Sequence, residues 1–427
     1  MRVTVVGLGK LGSPIAALYA AAGHETAGID VSPTVVEKLA SGVAPVNEPQ
    51  LQEMIDVGRD NLSATLDWSI GLKGSEASVV IVPTPSQSDG TFTNSFVIDA
   101  MKRIGEQIRL GVTAESHVVI IASTVMPGSM SGEIRTALEV ASGRPLSNSL
   151  GLVYSPQFIA LGSVVRNLQY PDMVLIGESD IVAGNLAEKL LRSVVRSDAS
   201  FQRMNLVNAE IVKISVNTFV TTKISFANML SEICDGLDGA NVDVVTAAVG
   251  SDSRVGTKYL SGGLGYGGPC FPRDNIALAA LGSQLGVDAS IAVATDRVND
   301  RQVNRIVEKV RGLGEQVRVV DVWGLSYKPD TEVIEASQGV QIAAALSTEG
   351  YRVRIHDPLV PKSTPALKSL EWLESPIPES NPDVVILATP WPEYITLSAT
   401  AKPNVAFLDP WGMAEIGDAQ RHIKPGR

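Results

Sequence analysis

Cysteine is almost missing from this chain: two in 427 residues, Cys234 and Cys270. That excludes a disulfide framework and points to reduced thiols. Long apolar runs are missing too. The most apolar stretch, residues 117–126, is about half the length that spans a bilayer, so no membrane partner is expected. Met1-Arg2 runs into Val3-Thr4-Val5-Val6 and then glycine, without the pattern of a secretory leader, and a cytoplasmic location is the expectation. Basic residues are the minority, 35 against 46 acidic ones, for a formal net charge of -11. Such a surface repels phosphate backbones, so no nucleic-acid partner is expected, although a local pocket for a small anionic ligand stays open. Apolar residues at 44%, charged residues at 19% and aromatic residues at 5% describe an ordinary globular protein. The length implies two to four domains.

What is present alternates. Short β-branched runs at Arg2–Val6, Glu25–Ile29, 77–82, 117–122 and Leu150–Tyr154 are separated by helix-like segments such as 14–22 and 95–110. This is the signature of βαβ units and a parallel sheet, and strands apolar on both faces fit a sheet covered by helices on each side. From Asn208 to about Val249 no proline interrupts a helical spacing of apolar residues, among them Ile211, Ile214, Phe219, Phe226 and Ile233. A helix of that kind serves either a subunit interface or the interior of one subunit. Strands resume at 317–322, 352–355, 384–388 and 405–408, with His356-Asp357-Pro358 and Asp409-Pro410 reading as turns, which describes a second α/β domain. The expected fold is therefore α/β: two Rossmann-like, doubly wound domains (1–200 and 301–427) joined by a central helical region (201–300) with a long helix.

Gly7-Leu8-Gly9-Lys10-Leu11-Gly12 fits G-x-G-x-x-G between a strand and a helix, and Asp30 ends the next strand 18 positions after Gly12. Gly7 permits the tight turn, Gly9 lets backbone approach a pyrophosphate, and Gly12 lets the helix pack against the strand. The helix N-terminus favours the phosphates. Asp30 can accept from a ribose hydroxyl and repels a 2′-phosphate, which favours NAD over NADP; FAD shares the fingerprint.

The second motif is Gly262-Gly263-Leu264-Gly265-Tyr266-Gly267-Gly268-Pro269-Cys270-Phe271-Pro272-Arg273-Asp274. Its glycines expose backbone N–H groups and let a ligand approach closely. A cationic neighbour of Cys270 favours the nucleophilic thiolate. Cys234 reads as a small buried apolar residue.

With both motifs, the chain resembles the UDP-glucose/GDP-mannose dehydrogenase family over nearly its whole length. The resemblance is carried by Gly7 to Gly12, Val82-Pro83-Thr84-Pro85, Ser123-Thr124-Val125, Ser155-Pro156-Gln157-Phe158, Lys213-Ile214-Ser215-Val216-Asn217, Gly265 to Asp274 and Gly324-Leu325-Ser326-Tyr327-Lys328-Pro329-Asp330-Thr331. It implies oxidation of a sugar C6 alcohol to the carboxylate with two NAD, through a thiohemiacetal and a thioester on Cys270. Lys213 and Asn217 match the groups that stabilise charge on the reacting oxygen, and their spacing of four places both on one helix face. Asp274 matches a carboxylate that handles protons, and Thr124 a threonine that holds a catalytic water beside the nicotinamide. The resemblance further implies cofactor contacts from Gly7, Gly9, Lys10, Leu11, Gly12, Asp30, Pro83, Thr84, Ser123, Thr124 and Arg273. It implies substrate contacts from Phe158, Ile159, Lys213, Asn217, Arg254, Tyr259, Gly265, Gly267, Tyr327 and Lys328, with Arg254 reaching the sugar across a subunit interface. No metal is expected, and a homodimer is.

The chain departs from the family pattern in three places. Gln157 and Leu161 stand where the family usually has glutamates, the first of them linked to thioester hydrolysis; an amide cannot take the proton. Glu335 stands where better-known members have an arginine, and Trp411 where a C-terminal pattern often ends in one. The expected substrate is a UDP-sugar, UDP-glucose ahead of the N-acetylmannosamine and GDP-mannose alternatives. Gln157 keeps a second reading open: an epimerase that uses NAD transiently, or an aldehyde-forming oxidoreductase.

Overall fold

The computed structural model describes residues 1–427 except 148, 377–381, 399–404 and 417–420. The chain divides into two compact units, Met1–Ile214 and Ser215–Arg427.

Among the described residues, the first unit is built on an eight-stranded sheet, β1 (Arg2–Val6), β2 (Glu25–Ile29), β3 (Leu62–Thr65), β4 (Ala77–Val80), β5 (His117–Ile121), β6 (Leu150–Tyr154), β7 (Met173–Glu178) and β8 (Ser200–Asn205), in the order 3-2-1-4-5-6-7-8. All neighbours are parallel except β6 and β7. Strands β4, β5 and β6 are buried along their whole length, because helices cover both faces of the sheet. The strands expected at 77–82 and 117–122 stop at Val80 and Ile121, where the chain turns into the Val82-Pro83 and Ser123-Thr124 loops. The sequence reading did not name β3, β7 and β8. Strands β3 and β8 are the sheet's half-exposed edges, where polar side chains dilute the apolar signal.

The second unit carries a six-stranded parallel sheet, β9 (Val319–Trp323), β10 (Arg352–His356), β11 (Glu371–Trp372), β12 (Val384–Leu387), β13 (Ala406–Leu408) and β14 (Arg421–Ile423), in the order 11-10-9-12-13-14. Counting from its own first strand, this is again the 3-2-1-4-5-6 order of a doubly wound fold. Both sheets reverse direction beside their first strand, at β1/β4 and β9/β12. In such sheets ligands bind outside the carboxyl ends of the strands at that switch point.

A helix of 30 residues, Leu206–Asp235, crosses the division between the units. It does not continue to residue 249. Gly236 and Gly239 interrupt it, and Asn241 caps a separate helix, Val242–Ser251, by accepting from the N–H groups of Asp243 and Val244. Along the second unit's part of the long helix most buried side chains are polar, Asn217, Thr218, Thr221, Ser225, Asn228 and Ser231, with Ala227 and Cys234 among them. Phe219 (66%), Phe226 (43%) and Ile233 (51%), seven residues apart, are exposed. The interior-helix alternative therefore fails for this chain alone, because its apolar stripe faces outward.

Candidate active site

In the first unit the expected residues line up along one sheet edge. Gly7 follows β1 with φ +90, and its N–H donates to Ile29 at 2.8 Å. A Cβ at Gly7 would fall 2.2 Å from the Ile81 carbonyl, and one at Gly12 would fall 1.7 Å from the Gly7 carbonyl. Both positions therefore require glycine for packing. A Cβ at Gly9 would meet nothing within 4 Å, so this glycine borders open space at the start of helix Gly12–Ala21. Asp30 Oδ2 accepts from Leu8 N at 2.6 Å and Oδ1 from Ser32 N at 2.8 Å. Each oxygen keeps lone-pair capacity for a ribose hydroxyl. Glycine that leaves room, a helix N-terminus and an acid at the end of β2 together fit a dinucleotide.

The next loops are tied to each other. Ser123 Oγ, after β5, accepts from Val82 N at 2.9 Å and donates to the Val82 carbonyl at 2.6 Å. Thr84 donates to the Thr124 carbonyl at 2.7 Å. Pro83 lies between these two ties. After β6, Gln157 Nε2 donates to the Ser155 carbonyl at 2.9 Å. Lys213 Nζ donates to the Gln157 carbonyl at 3.0 Å and stands 4.5 Å from the centre of the Phe158 ring. Lys213 is buried rather than solvated at the surface. One turn earlier Glu210, which no sequence motif marks, accepts from the N–H groups of Gly128 (2.8 Å) and Met130 (2.7 Å). That bond pins the chain beyond Thr124 to the long helix. Burial pushes the Glu210 carboxyl above its usual range.

In the second unit Cys270 is exposed and is the N-cap residue of helix Phe271–Gln284, at its positive end. One turn on, buried Asp274 accepts from Asn217 Nδ2 at 2.6 Å. Arg273 Nε is 3.6 Å from Asp274 Oδ1. The glycine loop before Cys270 is held by two amide side chains that imitate backbone, neither anticipated from sequence. Asn228 accepts from Gly263 N and donates to the Leu264 carbonyl, both at 3.0 Å. Asn299 accepts from Tyr266 N at 2.7 Å and donates to the Tyr266 carbonyl at 3.1 Å. A Cβ at Gly267 would come within 2.4 Å of the Ala336 carbonyl, one at Gly265 within 2.4 Å of Asn299, and one at Gly268 within 2.6 Å of the Tyr327 ring. Tyr327 therefore lies on the loop close to Cys270. Burial first, and the nearby thiol second, push its phenol up to about 12. At Glu335, where the sequence departs from the family, the backbone carbonyl accepts from Gly268 N at 2.9 Å.

Arg254 stands apart from this cluster, whereas Tyr259 packs beside its helix. Arg254 is 87% exposed and pairs with Asp252, and Tyr259 adopts φ +62 with its ring edge against Phe271. The second sheet also repeats the first cradle. Gly324 (φ +103) donates to the His356 carbonyl, Asp357 Oδ2 accepts from Leu325 N at 2.8 Å, and a Cβ at Gly339 would fall 2.0 Å from the Gly324 carbonyl. Gly324, Leu325, Asp357 and Gly339 thus stand to one another as Gly7, Leu8, Asp30 and Gly12 do. In the sequence Asp357 reads as a turn residue, since 15 positions, not five, separate the two glycines. Among the described residues no group of three or more His, Cys, Asp or Glu side chains could hold a metal ion, and no helix is long and apolar enough to cross a membrane.

Three sequence profiles of one family match the chain in order: its NAD binding domain at residues 1–195, its central domain at 207–301 and its UDP binding domain at 321–415. The chain belongs to the UDP-glucose/GDP-mannose dehydrogenase family. It is 31% identical over 408 residues to a UDP-glucose 6-dehydrogenase of Haloferax volcanii, covering 93% of each chain. It is also 31% identical over 385 residues to a GDP-mannose 6-dehydrogenase of Pseudomonas aeruginosa, covering 88% of this chain and 86% of that protein. A UDP-glucose dehydrogenase from Pyrobaculum islandicum superposes with a TM-score of 0.87 at 31% identity, covering 100% of this chain and 97% of that one. The protein is an NAD-dependent nucleotide-sugar dehydrogenase with a Rossmann fold.

Proposed function

We propose that this dehydrogenase oxidises the C6 alcohol of a UDP-hexose, UDP-glucose first among them, to the carboxylate through a covalent intermediate on Cys270. The observation that carries the reading is local. The helix that begins at Cys270 presents a buried Asp274 one turn on, joined to Asn217 at 2.6 Å. A nucleophile at a helix N-terminus, a carboxylate and an amide donor are the parts that covalent carbonyl chemistry requires. NAD, when bound, would supply the hydride acceptor for both oxidations at C6, and Gly7, Gly9, Lys10, Leu11, Gly12, Asp30, Pro83, Thr84, Ser123, Thr124 and Arg273 would hold it. Lys213 and Asn217 favour negative charge on the reacting oxygen. The Cys270 thiolate adds to the aldehyde as a thiohemiacetal, keeps the carbon as a thioester after the second oxidation, and is released by water. Thr124 positions that water and Asp274 takes its proton. Phe158, Ile159, Tyr259, Gly265, Gly267, Tyr327 and Lys328 hold the nucleotide sugar, and the work divides over residues 1–200, 201–300 and 301–427.

The exposed stripe of Phe219, Phe226 and Ile233 supports a homodimer. Arg254, exposed in one chain, then serves the partner's sugar. Gln157 favours a second reading, in which the reaction stops at the aldehyde or returns as an epimerisation, since its amide cannot act as a base. Incubation with a panel of UDP- and GDP-sugars and NAD, reading NADH per sugar and product mass together, tests the proposal. Two NADH and an acid from a UDP-sugar support it. One NADH with an aldehyde, or none with an epimer, supports the second reading. An acid made from a GDP-sugar alone contradicts the choice of base.

A further inference from the structure

The glycine loop before Cys270 has a third holder, distinct from Asn228 and Asn299. Arg427 has a nearly buried side chain, and its guanidinium reaches four residues. Nε and Nη2 grip the two carboxylate oxygens of Asp243, in the first turn of helix Val242–Ser251, with Nη2 to Oδ1 at 2.8 Å. Nη2 also donates to the Gly262 carbonyl at 3.2 Å, at the entry of the glycine loop. Nη1 donates to the Pro410 carbonyl at 2.7 Å and points at the Pro425 carbonyl at 3.4 Å. Pro410 immediately precedes Trp411, and Gly263 immediately follows Gly262. A Cβ at Gly263 would come within 2.6 Å of the Trp411 ring. One guanidinium therefore fixes both sides of the contact between the loop and the indole.

The segment that delivers Arg427 is itself anchored. Gly426 N donates to Asp235 at 2.8 Å, its carbonyl accepts from Val242 N at 2.7 Å, and Ser231 donates to the Pro425 carbonyl at 3.2 Å. Asp235 is held in turn by Arg305 and Lys309. Gly426 has φ +76, and a Cβ there would fall 2.2 Å from Ser231 Oγ, so glycine is required. A guanidinium offers five N–H donors in a fixed fork, and here the protein itself accepts all of them. Such a group has nothing left for a ligand, and its work is geometric.

We propose that Arg427 is a positioning residue that holds the entry of the glycine loop against Trp411 in the form that receives the nucleotide sugar. This rests on the reading above, in which Gly265 and Gly267 of the loop hold the nucleotide sugar. In Arg427→Ala the Gly262 and Pro410 carbonyls lose their donor, whereas Asp243, half exposed, is resolvated. Arg427→Lys carries one ammonium that cannot span three acceptors.

The test is amide hydrogen exchange on the ligand-free protein, combined with steady-state kinetics. For Arg427→Ala the expected result is about tenfold or more loss of protection confined to residues 262–268 and 411–414. The sugar KM rises about tenfold with the NAD KM unchanged, and Arg427→Lys falls between the two. Unchanged exchange in the loop overturns the proposal, as does protection lost evenly over the whole second unit. A loosened loop with an unchanged sugar KM overturns the positioning role. If Arg427→Ala does not fold, Asp243→Asn weakens the same anchor from an exposed site and is read by the same criteria. Should the wild type oxidise no nucleotide sugar, the failure lies in the functional reading, and the exchange data alone then decide whether Arg427 holds the loop.

Discussion

Asn217 donates its amide N–H to Asp274 at 2.6 Å, and both side chains are buried. The bond ties the long helix to the first turn of the helix that begins at Cys270, so it fixes where the amide of Asn217, the proposed charge-stabilising donor, stands relative to that helix. Asn217→Ala removes that donor and leaves the Asp274 carboxylate without its amide partner. The expected outcome is a fall in kcat of ~10²-fold, with NAD affinity little changed. Steady-state kinetics with a separate NAD titration checks it; a kcat within a few fold of wild type places charge stabilisation elsewhere.

Asp30 holds the turn after β1 through Leu8 N and, on the proposed reading, accepts from the ribose. Asp30→Ala removes both functions. NAD binding is expected to weaken by about tenfold or more, since a lost hydrogen bond to a charged group costs roughly 1.5–3 kcal/mol. Calorimetric titration of NAD into the variant measures it, and unaltered affinity displaces Asp30 from the ribose.

Gln157 supplies a carbonyl to Lys213 and turns its own amide onto Ser155, so the backbone shape survives where the proton acceptor is gone. If hydrolysis of the thioester limits turnover, Gln157→Glu restores a base and raises the steady-state rate, up to ~10²-fold. An unchanged rate, with no covalent adduct in the intact mass of the wild type under turnover, removes hydrolysis as the slow step.

Phe226 lies between Phe219 and Ile233 on the outward stripe of the long helix. Phe226→Glu puts a charge at the centre of that stripe. Sedimentation velocity is expected to show a dimer for the wild type and a shift to monomer for the variant, with acid formation reduced because Arg254 no longer reaches a partner. A dimer that survives the charge moves the interface off this helix.

Much of this arrangement is legible in the sequence wherever the signal is short-range. The Gly7 to Gly12 turn with Asp30, the alternating strands and the Cys270 loop are each defined by residues within a few tens of positions. Long-range partners are what sequence leaves out. The long helix reads as apolar because its Phe and Ile residues recur at helical spacing. Its buried face is largely polar because its groups find partners, several of them in distant backbone, as Gly263 and Leu264 satisfy Asn228. Asp357 reads as a turn residue until Leu325, 32 positions earlier, is found donating to it. Glu210 carries no signal until Gly128 and Met130 are seen pointing at it.

The central claim is that the Cys270 sulfur carries the substrate carbon between its two oxidations, and the acid made by Cys270→Ala tests it most directly. With a UDP-sugar and NAD, the variant is expected to bind NAD as the wild type does and to form no acid. Acid formed at an undiminished rate would contradict the covalent route.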